Sequence, residues 1–114
     1  MNIKRGEIYL ASLDPVVGKE ISKTRPVVIV SNDTNNEFSG TVTILPITSK
    51  NLKRIYPFEV FLAKGSGNLP KDSKVKADQI RTLDKARIIT LIGKLRKDEI
   101  DDIDGAIKLH LALR

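Results

Sequence analysis

The chain has 114 residues, a net charge of +6 and no cysteine. That length suits one domain able to bury a core without staples. The lack of thiols excludes a disulfide framework and thiolate chemistry. No run of about 18 apolar residues suggests a membrane span, and MNIKRGEIYL lacks the apolar segment of a signal peptide. A cytoplasmic, non-membrane protein is the expectation, with a single domain over residues 1–114 and no repeats or linkers.

The predicted elements are mostly short strands. Glu7 to Ser12 reads as the first, with Ile8 and Leu10 on one face. Asp14-Pro15 opens a turn and Gly18 loosens the loop after it. Pro26 to Ser31 is the second strand, and its unbroken apolar run predicts burial on both faces. Asn32 or Asp33 can cap a helical turn in the loop that follows. Thr41 to Thr48, rich in β-branched residues, is the third strand, and Phe58 to Ala63 the fourth. Gly65 to Asn68 and Pro70 form a loop. Lys74 to Thr82 and Ile88 to Ile92 are further strands, joined by a turn or short helix at Leu83 to Ala86. From Asp98 to Leu113, Ile100, Ile103, Ile107 and Leu111 recur at helical spacing. The whole predicts a mainly β domain: a small, strongly bent, barrel-like sheet closed around Ile8, Val28, Val30, Val42, Ile44 and Val60, and covered by a C-terminal α-helix.

Charge is unevenly spread. Asp98 to Asp104 holds five acids and no base, which leaves 20 basic residues against nine acids, a charge of +11, on the rest. The acids fall near a helix N-terminus, where the macrodipole favours them. A basic body fits a polyanionic partner, RNA or DNA before membrane, or serves solubility. The single histidine, His110, reads as a partly buried helix residue. No cluster of His and carboxylates has metal-ligand spacing, so neither a metal nor another cofactor is expected.

What remains is the segment KEISKTRPVVIVSND, from Lys19 to Asp33. Lys19 and Lys23 read as solvated loop lysines. Arg25 differs, because a residue before proline is held extended and Pro26 is tolerated where a strand begins. If strands two and three pair antiparallel with Ser31 opposite Val42, paired residue numbers sum to 73 and Arg25 faces Thr48. Opposed Cβ atoms lie roughly 5 Å apart. A guanidinium beside a hydroxyl suits a phosphate; an ordinary surface pair fits the same placement.

The pieces RGEIYLASLDPVVGKE, TRPVVIVSND, TVTILPITS and ADQIRTLDKARI, in this order and spacing, resemble the MazF/PemK toxin family. The resemblance spans the chain from Lys4 to the terminal helix. It implies an SH3-like (CcdB/PemK-type) barrel and a homodimer. It also implies a ribosome-independent endoribonuclease that cuts single-stranded RNA at short sequences and is neutralised by a cognate acidic antitoxin. By the same resemblance Arg25 and Thr48 match the catalytic pair, and Glu20 a loop acid near the scissile phosphate. Asp78 and Gln79 fall in an RNA-contact segment, and Lys50, Lys53, Arg54 and Tyr56 in a variable loop that helps select bases. Lys19 joins the RNA-contact candidates, and Tyr56 is a stacking platform for a base. Many members carry a glycine between the glutamate and the Arg-Pro pair, where this chain has Ile21-Ser22-Lys23-Thr24. The CcdB toxins, which poison DNA gyrase by binding, have a similar fold and supply the alternative, but a pure binder has no need of the Arg25–Thr48 pair.

Overall fold

A computed structural model of the protein describes residues 2–114. These form β1 (Glu7–Ser12), β2 (Thr24–Ile29), α1 (Asp33–Phe38), β3 (Thr41–Thr48), β4 (Glu59–Leu62), β5 (Ser73–Lys76), β6 (Arg81–Asp84), β7 (Ile88–Lys94) and α2 (Lys97–His110), with three short 3₁₀ turns between strands. All strand pairs are antiparallel, in the order β4-β5-β3-β2-β1-β7, with β6 also on β3. The sheet bends strongly but stays open, since the edge strands β4 and β7 do not pair with each other. In that respect the barrel expected from the sequence is incomplete.

The register of β2 on β3 is the expected one. Val27, Val28 and Ile29 face Pro46, Leu45 and Ile44, and each pair of numbers sums to 73. The ladder ends before Ser31, because the N–H groups of Val30 and Ser31 both donate to Thr43 O. Val42 pairs instead with Leu83 of β6. The strand predicted over Lys74 to Thr82 is two strands on one edge of β3. Pair numbers sum to 122 along β5 and to 125 along β6, and the shift of three is the 3₁₀ turn Ala77–Gln79.

Burial follows the pleat. Val27 and Ile29 enter a cluster with Tyr9, Ala11, Leu13, Val42, Ile44 and Leu83. Val28 points the other way, into a cluster with Ile8, Leu45, Ile47, Leu62, Val75 and Ile103. The apolar run of β2 is therefore buried on both faces, and the single core of the sequence reading divides in two. The 3₁₀ turn Ser66–Asn68 lies against β7 so closely that a Cβ on Gly93 would stand 2.2 Å from Gly67 O.

Helix α2 docks through buried Ile103 and half-buried Ile100 and Ile107, while Leu111 lies beyond the helix and is exposed. Four of its five clustered acids have partners. Glu99 accepts from Arg96 N–H at 3.0 Å, Asp98 pairs with Arg96, Asp101 with Lys97 and Asp104 with Arg5. His110 ends the helix and is exposed rather than partly buried. Asn32 caps α1 by accepting from Asn35 N–H at 2.8 Å. Among the described residues no helix is long and apolar enough to cross a membrane.

Candidate active site

Two residues beyond the last β2–β3 pair, Val27 with Pro46, the same register brings Arg25 and Thr48 together, and both line one cavity of 230 Å³ with Ile21, Lys50, Asn51, Lys74 and Lys76. Arg25 is half-buried. Its Nε donates to Ser22 O at 2.8 Å, which orients the guanidinium. Its Nη groups have no protein acceptor among the described residues, so the outer fork remains for an anion. The Thr48 hydroxyl accepts from Lys50 N–H at 3.2 Å. A hydroxyl that accepts still has its hydrogen to give.

The lysines of this cavity escaped the sequence reading. Residues two apart on a strand share a face, so Lys74 and Lys76 of β5 both look toward Arg25 and Thr48. Lys74 sits directly opposite Thr48 on one side, and Lys76 opposite Glu59 of β4 on the other. Glu59 is the hub. Its side chain is 0% exposed, accepting from Lys74 Nζ at 3.0 Å, Lys76 Nζ at 2.8 Å and Tyr56 N–H at 3.0 Å. Burial alone would raise its carboxyl. The bonds from Lys76, from Tyr56 N–H and from Lys74 outweigh that and hold it below the usual carboxylate range. Lys76 keeps donors for substrate, being 22% exposed with one close partner and Asp78 Oδ1 at 3.9 Å. The available signal was the alternation in Ser73-Lys74-Val75-Lys76, which reads as a charged face on a strand.

Beside this cavity a second one, of 500 Å³, is lined by Ser49, Asn51, Leu52, Lys53 and Arg54. The basic loop candidates therefore divide: Lys50 belongs to the Arg25 cavity, Lys53 and Arg54 to its neighbour. Tyr56 is less open than a bare platform. Its ring stacks on Phe58 at 5.5 Å and 9°, and the Arg54 guanidinium lies 4.8 Å from its centroid.

The β1–β2 loop, residues 13–23, forms the opposite wall. Glu20 does not line the cavity. Its carboxylate accepts from Val17 N–H at 2.6 Å within its own exposed turn. Gln79 faces this loop: its Oε1 accepts from Ile21 N–H at 3.2 Å and its Nε2 donates to Lys19 O at 3.4 Å. That makes Gln79 a clasp on the loop, with the Lys19 residue exposed beyond it. Asp78 has a buried Oδ1 without a hydrogen-bond partner, near Lys76. Within Ile21-Ser22-Lys23-Thr24, Lys23 takes a left-handed φ of 69°, held by Asp14 Oδ1 accepting from its N–H at 3.0 Å.

A larger cavity of 590 Å³ lies apart from these residues, lined by Arg5, Val30, Asn32, Asp104, Ile107 and Leu113 among others. Of its charges, Arg5 and Asp104 are paired with each other and Lys108 has no ion pair among the described residues, so it gathers less positive charge than the Arg25 cavity, which Arg25, Lys50, Lys74 and Lys76 line.

A family profile described as "PemK-like, MazF-like toxin of type II toxin-antitoxin system" matches residues 4–111. The chain is 40% identical to the endoribonuclease MazF9 of Mycobacterium tuberculosis, over 97% of this chain and 98% of that one. Its fold is similar to the crystal structure of MazF from Deinococcus radiodurans, with a TM-score of 0.86 and 25% identity over 99% of each chain. It is similar also to a mycobacterial endoribonuclease solved with its cognate antitoxin, with a TM-score of 0.78 and 23% identity over 99% of this chain and 96% of that one.

Proposed function

The chain belongs to the PemK-like, MazF-like family of type II toxins, and we propose that it is an endoribonuclease cutting single-stranded RNA at the cavity of Arg25 and Thr48. The observation that carries this reading is the cavity itself. A half-buried arginine with its outer fork unengaged, a threonine hydroxyl and the partly exposed Lys76 converge on one small space.

Such a space fits a phosphodiester in the course of attack by its own 2′-hydroxyl. That oxygen forms a bond to phosphorus while the bond to the 5′-oxygen breaks, giving a 2′,3′-cyclic phosphate and a free 5′-hydroxyl. Negative charge gathers on the non-bridging oxygens, where preorganised donors act most strongly. Arg25 supplies two parallel N–H groups, Thr48 a third donor and Lys76 a nearby positive charge. Glu20 removes the 2′-proton, and solvent water supplies the proton that the leaving 5′-oxygen gains. It adjoins Ile21 in the cavity wall and must first release Val17 N–H. The reaction runs in the cytoplasm. An acidic antitoxin segment covers the same basic groove; that an antitoxin binds at all is supported by the mycobacterial relative solved with its own. A second copy completes the groove, and exposed Ile89 and Leu91 on β7 are apolar surface that it can cover.

Purified protein incubated with a defined RNA, without ribosomes, tests this. Fragments should carry 2′,3′-cyclic phosphate and 5′-hydroxyl ends and should form in EDTA. Binding should weaken steeply with salt. Intact RNA, or a gyrase-poisoning activity in its place, would sink the proposal.

A further inference from the structure

We propose that Lys74 is a positioning residue for target selection: its buried ammonium fixes the backbone of residues 51–54 beside the catalytic cavity and so decides which nucleotides bring their phosphate to Arg25. This rests on the RNA-cleaving reading above. Lys74 lines the cavity, yet it has nothing left for a phosphate. An ammonium carries three N–H donors. Here they go to Glu59 Oε1 at 3.0 Å, Asn51 O at 3.0 Å and Arg54 O at 3.2 Å, and the side chain is 4% exposed.

The two carbonyls belong to residues three apart, so one charge gathers the segment into a turn. That segment walls the 500 Å³ cavity and shares Asn51 with the catalytic one. Its side chains at 51, 53 and 54 are exposed. The flanking ties, Lys50 N–H to Thr48 and Tyr56 N–H to Glu59, hold only its ends. Lys74 also stands opposite Thr48 in the ladder. One buried charge thus links the catalytic strand to the loop that meets the bases.

The test compares wild type with Lys74→Met, mapping cut sites on a defined long RNA and measuring kcat and KM at the best and next-best sites. A loop displaced by about an ångström costs heavily in alignment. The preference between the two sites should fall about tenfold, mainly through KM, with kcat at the best site changed less. An even loss at every site, with the ranking intact, overturns the proposal.

The chain has no cysteine, so Lys74→Cys can be aminoethylated while unfolded and refolded, which restores an ammonium at that one position. The ranking should return with aminoethylation and not with S-methylation; failure to return is a second refutation. If Lys74→Met does not fold, Glu59→Gln serves instead, because its amide oxygen can still accept from Tyr56 N–H while the charge facing Lys74 is gone. It should relax the ranking in the same direction, and an unchanged ranking overturns the proposal. Hydrogen exchange at the Lys50 and Tyr56 amides judges the anchor without RNA: it should speed up at least about tenfold in the folded variant, and unchanged protection overturns the anchor. Wild-type protein that cuts no RNA refutes the nuclease reading and the selection role with it, and the exchange measurement still decides whether the anchor exists.

Discussion

The two loops that wall the Arg25 cavity are held in different ways. Residues 49–58 are fastened from beneath, by a charge buried in the sheet that grips main-chain carbonyls. In residues 13–23, Arg81 and Arg87 grip the carbonyls of Leu13 and Asp14 at the start, but the stretch that carries Glu20 is clasped from the rim by one amide, Gln79, and by hydrogen bonds among exposed groups. A buried tie resists solvent competition, and an exposed one exchanges with water at little cost. The difference suits their contents. The fastened loop carries the side chains proposed to discriminate bases, which need to hold still. The clasped loop carries Glu20, which in the proposed mechanism leaves Val17 N–H to reach the RNA.

Catalysis gives the largest contrast. Arg25→Ala should lower the cleavage rate by on the order of 10²–10³, as loss of a preorganised donor does elsewhere, with circular dichroism unchanged; Arg25→Lys should recover only part, since a point charge lacks the fork. Stability should then separate the loops. Lys74→Met leaves Glu59 buried with one charge fewer, and denaturant unfolding should report a loss of about 3–5 kcal/mol. Gln79→Ala should cost only about 1 kcal/mol while accelerating amide exchange at Ile21. Equal costs for the two variants would erase the contrast.

Acid sharpens it further. Glu59 is held below its ordinary value of 4.5 in the fold, so its stabilising effect is complete above that pH and fades as pH falls through the folded value. Wild type should lose stability below about pH 4.5, and Glu59→Gln should show a shallower decline over the same window in pH-resolved denaturant melts. Asp33 and Asp98 are held low as well, Asp33 chiefly by Arg5 N–H and Asp98 by Arg96, so some slope remains. The smallest effect belongs to Lys23. Its left-handed backbone suits glycine, and Lys23→Gly should change stability by less than about 1 kcal/mol and leave cleavage intact, since Asp14 holds its backbone N–H.

Much of this was legible in the sequence because it depends on local pattern. The span of β1, the span of β3 and the register that unites Arg25 with Thr48 follow from apolar runs and from one assumed pairing. The Glu59 hub was not legible. It needs β4 and β5 to pair across ten irregular residues, and nothing in Phe58 to Ala63 announces which strand lies alongside. The strand through Lys74 to Thr82 was read without its break, since a three-residue register shift is a property of the partner strand. Glu20 and Gln79 were assigned to substrate contact by the family resemblance, which does not reveal what their side chains hold in the free fold. Their actual acceptors and donors, Val17 N–H, Ile21 N–H and Lys19 O, are main-chain groups whose nearness only folding creates.

The grip on residues 51–54 is a grip on carbonyls, and every amino acid has one. Asn51, Leu52, Lys53 and Arg54 can therefore be exchanged without loosening the anchor, provided Asn51 is replaced by a residue that tolerates its left-handed φ of 57°. A recognition surface built this way separates where it sits from what it reads. Its target can drift by single substitutions while the cutting machinery stays in alignment, which makes this loop the natural place to retarget the enzyme by design.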